Sequence, residues 1–314
     1  MKRAWDALVA MFSRREDATR LALFRAAVGL SLLWALLPVW LNGALAMCWL
    51  RPEDGGYSTR EGGWLTQLLG GSPQAIHALF IVALLSAVLI TCGLGGRITP
   101  ALGLLSYLAL SQRNRTAGGS YDHLLTNALW LLVLAQATTT LSLDCRLRTG
   151  CWRSTQHIPS WPRMLAVYQL VLCYFSTGLH KVADSWLPTG GYSALYYILQ
   201  QPTWQRFDMR WLASVYPLTQ LATLGAWLFE VSSPLLLVLL ARRGPRRDRA
   251  VRAWMAFGVG MHLAILALMD VGPFSAIAIS YYFCLFSAPA PAPPDCAPHH
   301  SPAPSHSAQS PAAS

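Results

Sequence analysis

The stretch LALFRAAVGLSLLWALLPVWL, residues 21–41, decides the fold class, because Arg25 is its only charged residue. A helix crosses the roughly 30 Å hydrocarbon core of a bilayer with about 20 predominantly apolar residues. Apolar stretches of similar character recur along the rest of the chain. We therefore predict that residues 21–41 form the first of several transmembrane helices.

The composition indicates the same class. Of the 314 residues 54% are hydrophobic and only 12% are charged, whereas soluble domains carry about 25% charged residues. We predict an all-α polytopic membrane protein. It has about eight transmembrane helices, at residues 21–41, 75–94, 99–110, 123–141, 164–179, 217–240, 254–269 and 272–288. The third and the eighth are short, so seven helices remain the alternative.

The basic residues indicate how these helices are oriented. If the N-terminus is cytoplasmic and the helices alternate, sixteen Lys and Arg residues fall on the cytoplasmic side and seven on the outer side. Cytoplasmic loops carry such an excess, so we predict that both termini are cytoplasmic. A net charge of +10 also suits nucleic acid, but charges in short loops between helices are explained by orientation. We expect the lipid bilayer as a partner and no nucleic acid.

The two ends of the chain differ from its middle. Residues 1–19 are basic with interspersed apolar side chains and predict an amphipathic segment on the inner surface. Residues 289–314 are rich in Pro, Ala, Ser and His and predict disorder. Residues 20–288 are the predicted transmembrane domain. NGALAM, residues 42–47, has the small residues of a signal-cleavage site, but the leader would be unusually long, and we favour a retained first helix.

A few ionisable residues lie in or beside the predicted helices, where burying a charge is costly. Arg25 lies near enough to a helix end to reach the inner surface, and Asp122 and Asp270 lie at helix ends. Glu230 and His262 lie deep in the sixth and seventh helices, where a neutral imidazole can also be structural. The cysteines are scattered without zinc-type spacing, so no metal site is predicted.

The stretch CYFSTGLHKVADSW, residues 173–186, places Lys181 at the end of the fifth predicted helix, on the predicted outer side. A lysine at a helix end often extends its ammonium group into water. If the side chain is instead held away from water, desolvation disfavours the ammonium form and leaves an amine that can accept a proton. Both interpretations stay open.

The outer segment that follows, residues 182–216, is rich in aromatic side chains. Such residues are typical of the membrane–water interface, where they form an aromatic belt. The alternative is a lid or a groove that receives an apolar cofactor or a peptide from the outer leaflet.

The residues around Lys181 have a characteristic order. An aromatic pair and a glycine precede the lysine, and a tryptophan follows five positions later, as Tyr174, Phe175, Gly178, Lys181 and Trp186. This order resembles the membrane motif of vitamin K-dependent gamma-carboxylases and their bacterial relatives, the horizontally transferred transmembrane (HTTM) proteins.

Three further segments resemble the same family and follow its order. LALFRAAVGLSLLWAL contains Arg25 and is similar to the family's first helix. SYDHLLTNALWLLVLAQATTTLSLD, residues 120–144, is similar to the fourth helix and its closing Ser-Leu-Asp. HLAILALMDVGPFSAIAISYYFCLF begins with His262 and is similar to the late pair of helices. The resemblance covers roughly residues 20–288.

The resemblance implies a carboxylase-like enzyme that uses a reduced naphthoquinone of the vitamin K or menaquinol type. In the carboxylases the matching lysine deprotonates the quinol, whose reaction with oxygen yields a strong base. That base removes a glutamate γ-proton, and carbon dioxide adds to the carbanion. By this resemblance Lys181 is the catalytic base, while His262 and either Asp122 or His123 position the reactants.

The residues expected to contact the cofactor are Glu230, Trp186 and Tyr174. The active lysine of the family faces the lumen, which agrees with the outward position of Lys181 from charge counting. We expect an integral protein of the bacterial inner (plasma) membrane that acts on a secreted peptide or protein.

A non-catalytic role is the alternative. Small HTTM proteins resemble membrane factors for the maturation, export or immunity of secreted bacterial peptides, and this chain is similar to them in size. A transporter has less support, because the sequence has no internal repeats.

Overall fold

The structure is a computed structural model that describes residues 5, 6, 9, 13–241 and 244–285. Most of the chain is helical, and the all-α class is confirmed. The predicted disordered tail, residues 289–314, and residues 1–4, 7, 8 and 10–12 of the predicted amphipathic segment lie outside the described residues.

The described α-helices follow one another along the chain. They are α1 (Thr19–Leu41), α2 (Leu45–Trp49), α3 (Trp64–Leu68), α4 (Pro73–Cys92), α5 (Ile98–Arg113), α6 (Tyr121–Leu134), α7 (Leu143–Thr149), α8 (Trp161–His180), α9 (Ala194–Leu199), α10 (Tyr216–Val231), α11 (Pro234–Ala241), α12 (Pro245–Leu268) and α13 (Phe274–Tyr282). Two short strands, β1 (Arg15–Asp17) and β2 (His157–Pro159), pair antiparallel.

Three of the described helices, α1, α4 and α12, are long and apolar enough to cross a membrane. The segment Arg210–Val231 together with α11 is also long and apolar enough, but it is bent by 56° at the break, as in a broken span or a re-entrant loop. These helices make the protein an integral membrane protein. The helices α5 and α6, with 16 and 14 residues, measure only about 24 Å and 21 Å along their axes.

The sixth predicted transmembrane helix is therefore not continuous. It ends at Val231 and resumes at Pro234 as α11, because a proline inside a helix removes a backbone hydrogen bond and clashes with the preceding turn. The Ser233 hydroxyl donates to the carbonyl of Val171 at 3.1 Å and ties this break to α8.

The fourth predicted helix, residues 123–141, is also shorter than expected. Helix α6 ends at Leu134, and the chain turns until Leu141, which has the left-handed backbone angle φ of 46°. This turn brings the Leu141 carbonyl to the Arg25 guanidinium, which donates to it at 2.7 Å.

Helices α1 and α4 pack closely because Gly29 has no side chain. A Cβ at Gly29 would collide with the side chain and the backbone of Thr91. Small residues at such crossings let membrane helices approach each other. The core that continues from this contact contains Phe24, Leu32, Phe80 and Leu125, all of them buried.

Arg25 does not reach for water, contrary to one of the interpretations from the sequence. It is only 2% exposed, and it also donates to the Ile90 carbonyl at the end of α4, at 3.2 Å. Close by, the Asp144 carboxylate accepts hydrogen bonds from the backbone N–H groups of Gly95 and Gly96. Arg25 and the Ser-Leu-Asp segment, residues 142–144, therefore lie together at one end of the helix bundle. We call this end the Arg25 end.

The strand pair lies at the same end. Residues 15–17, which belong to the segment predicted as amphipathic, form β1 instead of a helix. Glu16 on this strand accepts two hydrogen bonds, both 2.7 Å long, from the guanidinium of Arg163 in the first turn of α8. The start of α8 is thereby fixed beside the start of α1.

Helix α8 then runs the length of the bundle. Its rise of about 1.5 Å per residue separates Arg163 from Lys181 by about 27 Å. Lys181 therefore lies at the opposite end from Arg25, which we call the Lys181 end.

Candidate functional site

Lys181 is paired with Glu230. Its Nζ atom lies 2.5 Å from the Glu230 Oε2 atom and 4.2 Å from the centre of the Trp186 ring. The side chains of Lys181 and Glu230 are 21% and 10% exposed. The lysine thus has both an anionic and an aromatic neighbour and is largely withdrawn from water.

The pair forms because α8 and α10 approach closely at Gly178. A Cβ at Gly178 would lie 2.9 Å from the Val231 backbone nitrogen and 3.0 Å from the Glu230 Cβ. Glu230 occupies the last turn of α10, directly before the break in the sixth helix. The glycine of the sequence motif thus lets the carboxylate reach the lysine three positions further on.

We expect Gly178→Ala to destabilise the protein, because the new methyl group has no room between α8 and α10. Overpacking of this kind costs about 1–3 kcal/mol, so the melting temperature in detergent should fall. Gly260→Ala in α12 is the matched control, because nothing lies within 4 Å of a Cβ there. Equal melting temperatures for the two variants would contradict the close approach.

A second cluster of polar side chains is buried at the face of α8 that carries Lys181. The Tyr174 hydroxyl lies 2.7 Å from His262 Nε2 and 2.8 Å from the Tyr282 hydroxyl. His262 is 1% exposed and Tyr282 3% exposed. Tyr174, Gly178 and Lys181 are spaced by four and three positions, so they lie on one face of the helix.

Aromatic side chains surround this polar cluster. Phe229, the residue before Glu230, stacks on Trp254 with 4.5 Å between the ring centroids. Its ring also packs edge-on against Tyr174, with 5.1 Å between the centroids. His262 Nδ1 and Trp254 Nε1 are buried and have no hydrogen-bond partner within the described residues. Buried nitrogen atoms without a partner are costly, so these two atoms keep a hydrogen-bonding capacity that the described residues do not use.

The structure brings five of the seven predicted site residues into two adjoining groups. Lys181, Glu230 and Trp186 form one, and Tyr174 and His262 belong to the other. Phe229 links them, since it precedes Glu230 in the chain and packs against Tyr174.

The other two predicted residues lie apart from these groups. The Asp122 carboxylate accepts a hydrogen bond from the Tyr107 hydroxyl at 2.5 Å, beside a small cavity that Tyr121 also lines. His123 is exposed. Within the described chain, no hydrogen bond or ion pair joins either residue to Lys181. Their catalytic roles stay predictions.

The segment after Lys181, residues 182–216, is folded against α10. The Leu195 backbone donates to the Thr223 hydroxyl at 3.1 Å, and the Gln220 amide donates to the Gly191 carbonyl at 2.6 Å. In the exposed turn that follows, hydrogen bonds from Arg210 hold the pKa of the Asp208 carboxyl below its ordinary value.

The aromatic residues of this segment divide into two kinds. Trp186 covers Lys181, whereas Tyr197, Phe207 and Trp211 are more than half exposed. Exposed aromatic rings suit a membrane interface. The segment can therefore contribute Tyr197, Phe207 and Trp211 to an aromatic belt and at the same time cover Lys181 with Trp186.

Sequence reasoning did not single out Tyr282 or Trp254. Tyr282 bonds to Tyr174, and a Cβ at Gly258 would collide with its hydroxyl. The signal was present in the sequence, because the two tyrosines of SYYF stand inside an apolar helix, and a buried tyrosine hydroxyl usually requires a partner.

These observations together define a helical integral membrane protein with a buried polar cluster beside an ion pair. The model of the HTTM domain family matches residues 13–289, which is nearly the whole chain. The chain therefore belongs to the HTTM domain family, and this prediction is confirmed. No solved structure matches the chain.

Proposed function

We propose that the protein is a quinol-dependent, carboxylase-like membrane enzyme in which Lys181 acts as the base. The observation that carries this proposal is the withdrawal of the lysine from water into contact with Glu230 and Trp186. A lysine that only extended towards water would not need a buried carboxylate as its partner.

The ion pair with Glu230 affects how Lys181 could act as a base. Desolvation alone would favour a neutral amine, whereas a carboxylate at 2.5 Å favours the ammonium form. We infer that Glu230 accepts the ammonium proton at Oε2 and frees the Lys181 amine, which then takes a proton from the substrate.

The residues present fit an aromatic ligand with polar oxygen atoms, such as a reduced naphthoquinone. Buried aromatic side chains surround the second polar cluster, and His262 Nδ1 and Trp254 Nε1 lack partners among the described residues. When bound, the reduced quinone would supply a strong base through its reaction with dioxygen. Tyr174 would hold His262 in a fixed orientation through its hydroxyl group. Glu230 and Trp186, which were predicted to contact the cofactor, would instead act on Lys181.

The finer topology belongs to the same proposal. We infer eight membrane crossings with both termini cytoplasmic and the Lys181 end facing outward, in a bacterial inner membrane. The charge asymmetry supports this orientation, and so does the separation of Arg163 and Lys181 along α8.

The proposal is tested on membranes that contain the protein. Addition of chemically reduced menaquinone is expected to accelerate oxygen uptake over membranes without the protein. Labelled carbon dioxide should then appear in a co-produced secreted peptide. Oxygen uptake equal in both membranes would favour the alternative, a non-catalytic factor for the maturation, export or immunity of such a peptide.

A further inference from the structure

We propose that a cavity at the Arg25 end of the bundle binds the phosphate headgroup of an anionic phospholipid. The cavity has a volume of about 270 Å³. It lies between the start of α5, the chain that follows α6, and α7. Its polar lining consists of Arg97, Arg148, Gln136, Thr138, Thr139 and Gln156.

The two arginines line the cavity as exposed side chains, and within the described residues neither forms an ion pair. Arg97 Nε donates to the Ala135 carbonyl at 3.4 Å, and Arg148 Nη2 donates to the Thr139 carbonyl at 3.3 Å. Each guanidinium has five N–H donors, so both keep donors for a ligand. Arginine binds phosphate oxygens in pairs, which makes it well suited to this chemistry.

The nearby carboxylate does not cancel this positive charge. The two carboxylate oxygens of Asp144 accept hydrogen bonds from the backbone N–H groups of Gly95 and Gly96. The buried Arg25 guanidinium bonds to the Leu141 carbonyl of the same connection. Arg25, Arg97 and Arg148 together outweigh the charge of Asp144, so these four described residues carry a net positive charge.

The apolar residues next to the arginines favour a lipid over a free phosphate ion. Ile98 follows Arg97 in the chain and is 71% exposed, and Leu147 precedes Arg148 and is 76% exposed. Trp152, whose carbonyl accepts the Leu141 backbone N–H, is 45% exposed. Basic pockets beside membrane helices at the anionic cytoplasmic leaflet bind lipid headgroups, and charge counting assigns the Arg25 end to that side.

The experiment measures which lipid the purified protein retains. The delipidated protein is mixed with equal amounts of dioleoyl-phosphatidylglycerol and dioleoyl-phosphatidylcholine, and bound lipids are counted by native mass spectrometry. Both lipids carry a phosphate, but the choline cation of phosphatidylcholine would be repelled by the two arginines, so we expect about a tenfold preference for phosphatidylglycerol. The double variant R97Q/R148Q should lose this preference.

The control variant R249Q/R252Q removes two exposed arginines from α12, which do not line the cavity. It should keep the wild-type preference. If both double variants lose the preference equally, general charge attraction and not this site holds the lipid. If inorganic phosphate displaces the lipid, the site binds a soluble anion and not a lipid headgroup. If R97Q/R148Q does not fold, the single variants R97Q and R148Q replace it, and each should lose part of the preference; an unchanged preference in both would contradict the proposal.

Discussion

Lys181→Ala is expected to abolish quinol-dependent oxygen uptake while the protein still inserts and folds. A positioned base contributes about 10²- to 10⁴-fold to a rate, so the loss should be of that order. Oxygen uptake is measured on membranes with matched protein amounts, and size-exclusion chromatography in detergent checks the fold.

Lys181→Arg is the sharper variant. Arginine keeps the positive charge and can bind Glu230, but its guanidinium does not lose its proton in proteins. An enzyme that needs the amine should lose its activity in this variant as well. Full activity in Lys181→Arg would mean that the residue serves only as a charge, as expected for a membrane scaffold.

Glu230→Ala is expected to lower the stability of the protein markedly. It leaves the Lys181 ammonium largely buried without its carboxylate, and breaking a buried pair from one side costs about 3–5 kcal/mol. Since Lys181 is 21% exposed, the lower part of that range applies. The measurement is thermal unfolding in detergent, and the melting temperature should fall markedly.

The double variant Lys181→Met with Glu230→Leu should recover most of this loss, because a buried pair can be replaced by apolar side chains of similar volume at little cost. Asp208→Ala is the control for an ion pair in water, because Asp208 and Arg210 are both exposed. It should leave the melting temperature unchanged. A Glu230→Ala variant as stable as the wild type would contradict the buried pair.

The helical class and the approximate extent of the long helices could be predicted from the sequence. Helix α1 begins two residues before the predicted stretch and ends at the same residue, Leu41, because an apolar run must match the thickness of the bilayer. The break in the sixth predicted helix, after Val231, was harder to predict from the sequence. Pro234 is visible in the sequence, but a proline in a membrane helix often causes only a kink.

The ionisable residues of the site were predictable one by one, and their partners were not. Lys181 and Glu230 are 49 positions apart, and their contact depends on how closely α8 and α10 approach at Gly178. Arg25 was expected near the inner surface, but carbonyl groups from two other segments hold it inside the bundle. Tertiary packing decides these contacts, and neither local spacing nor composition encodes it.

The most direct test of the proton-accepting role of Lys181 is chemical rescue of the Lys181→Ala variant. Small primary amines such as methylamine should restore quinol-dependent oxygen uptake, and the restored rate should rise with the concentration of the unprotonated amine. Tetramethylammonium, which carries a charge but cannot accept a proton, should restore nothing. Equal rescue by both compounds, or no rescue by any amine small enough to enter the site, would contradict the role of Lys181 as the base.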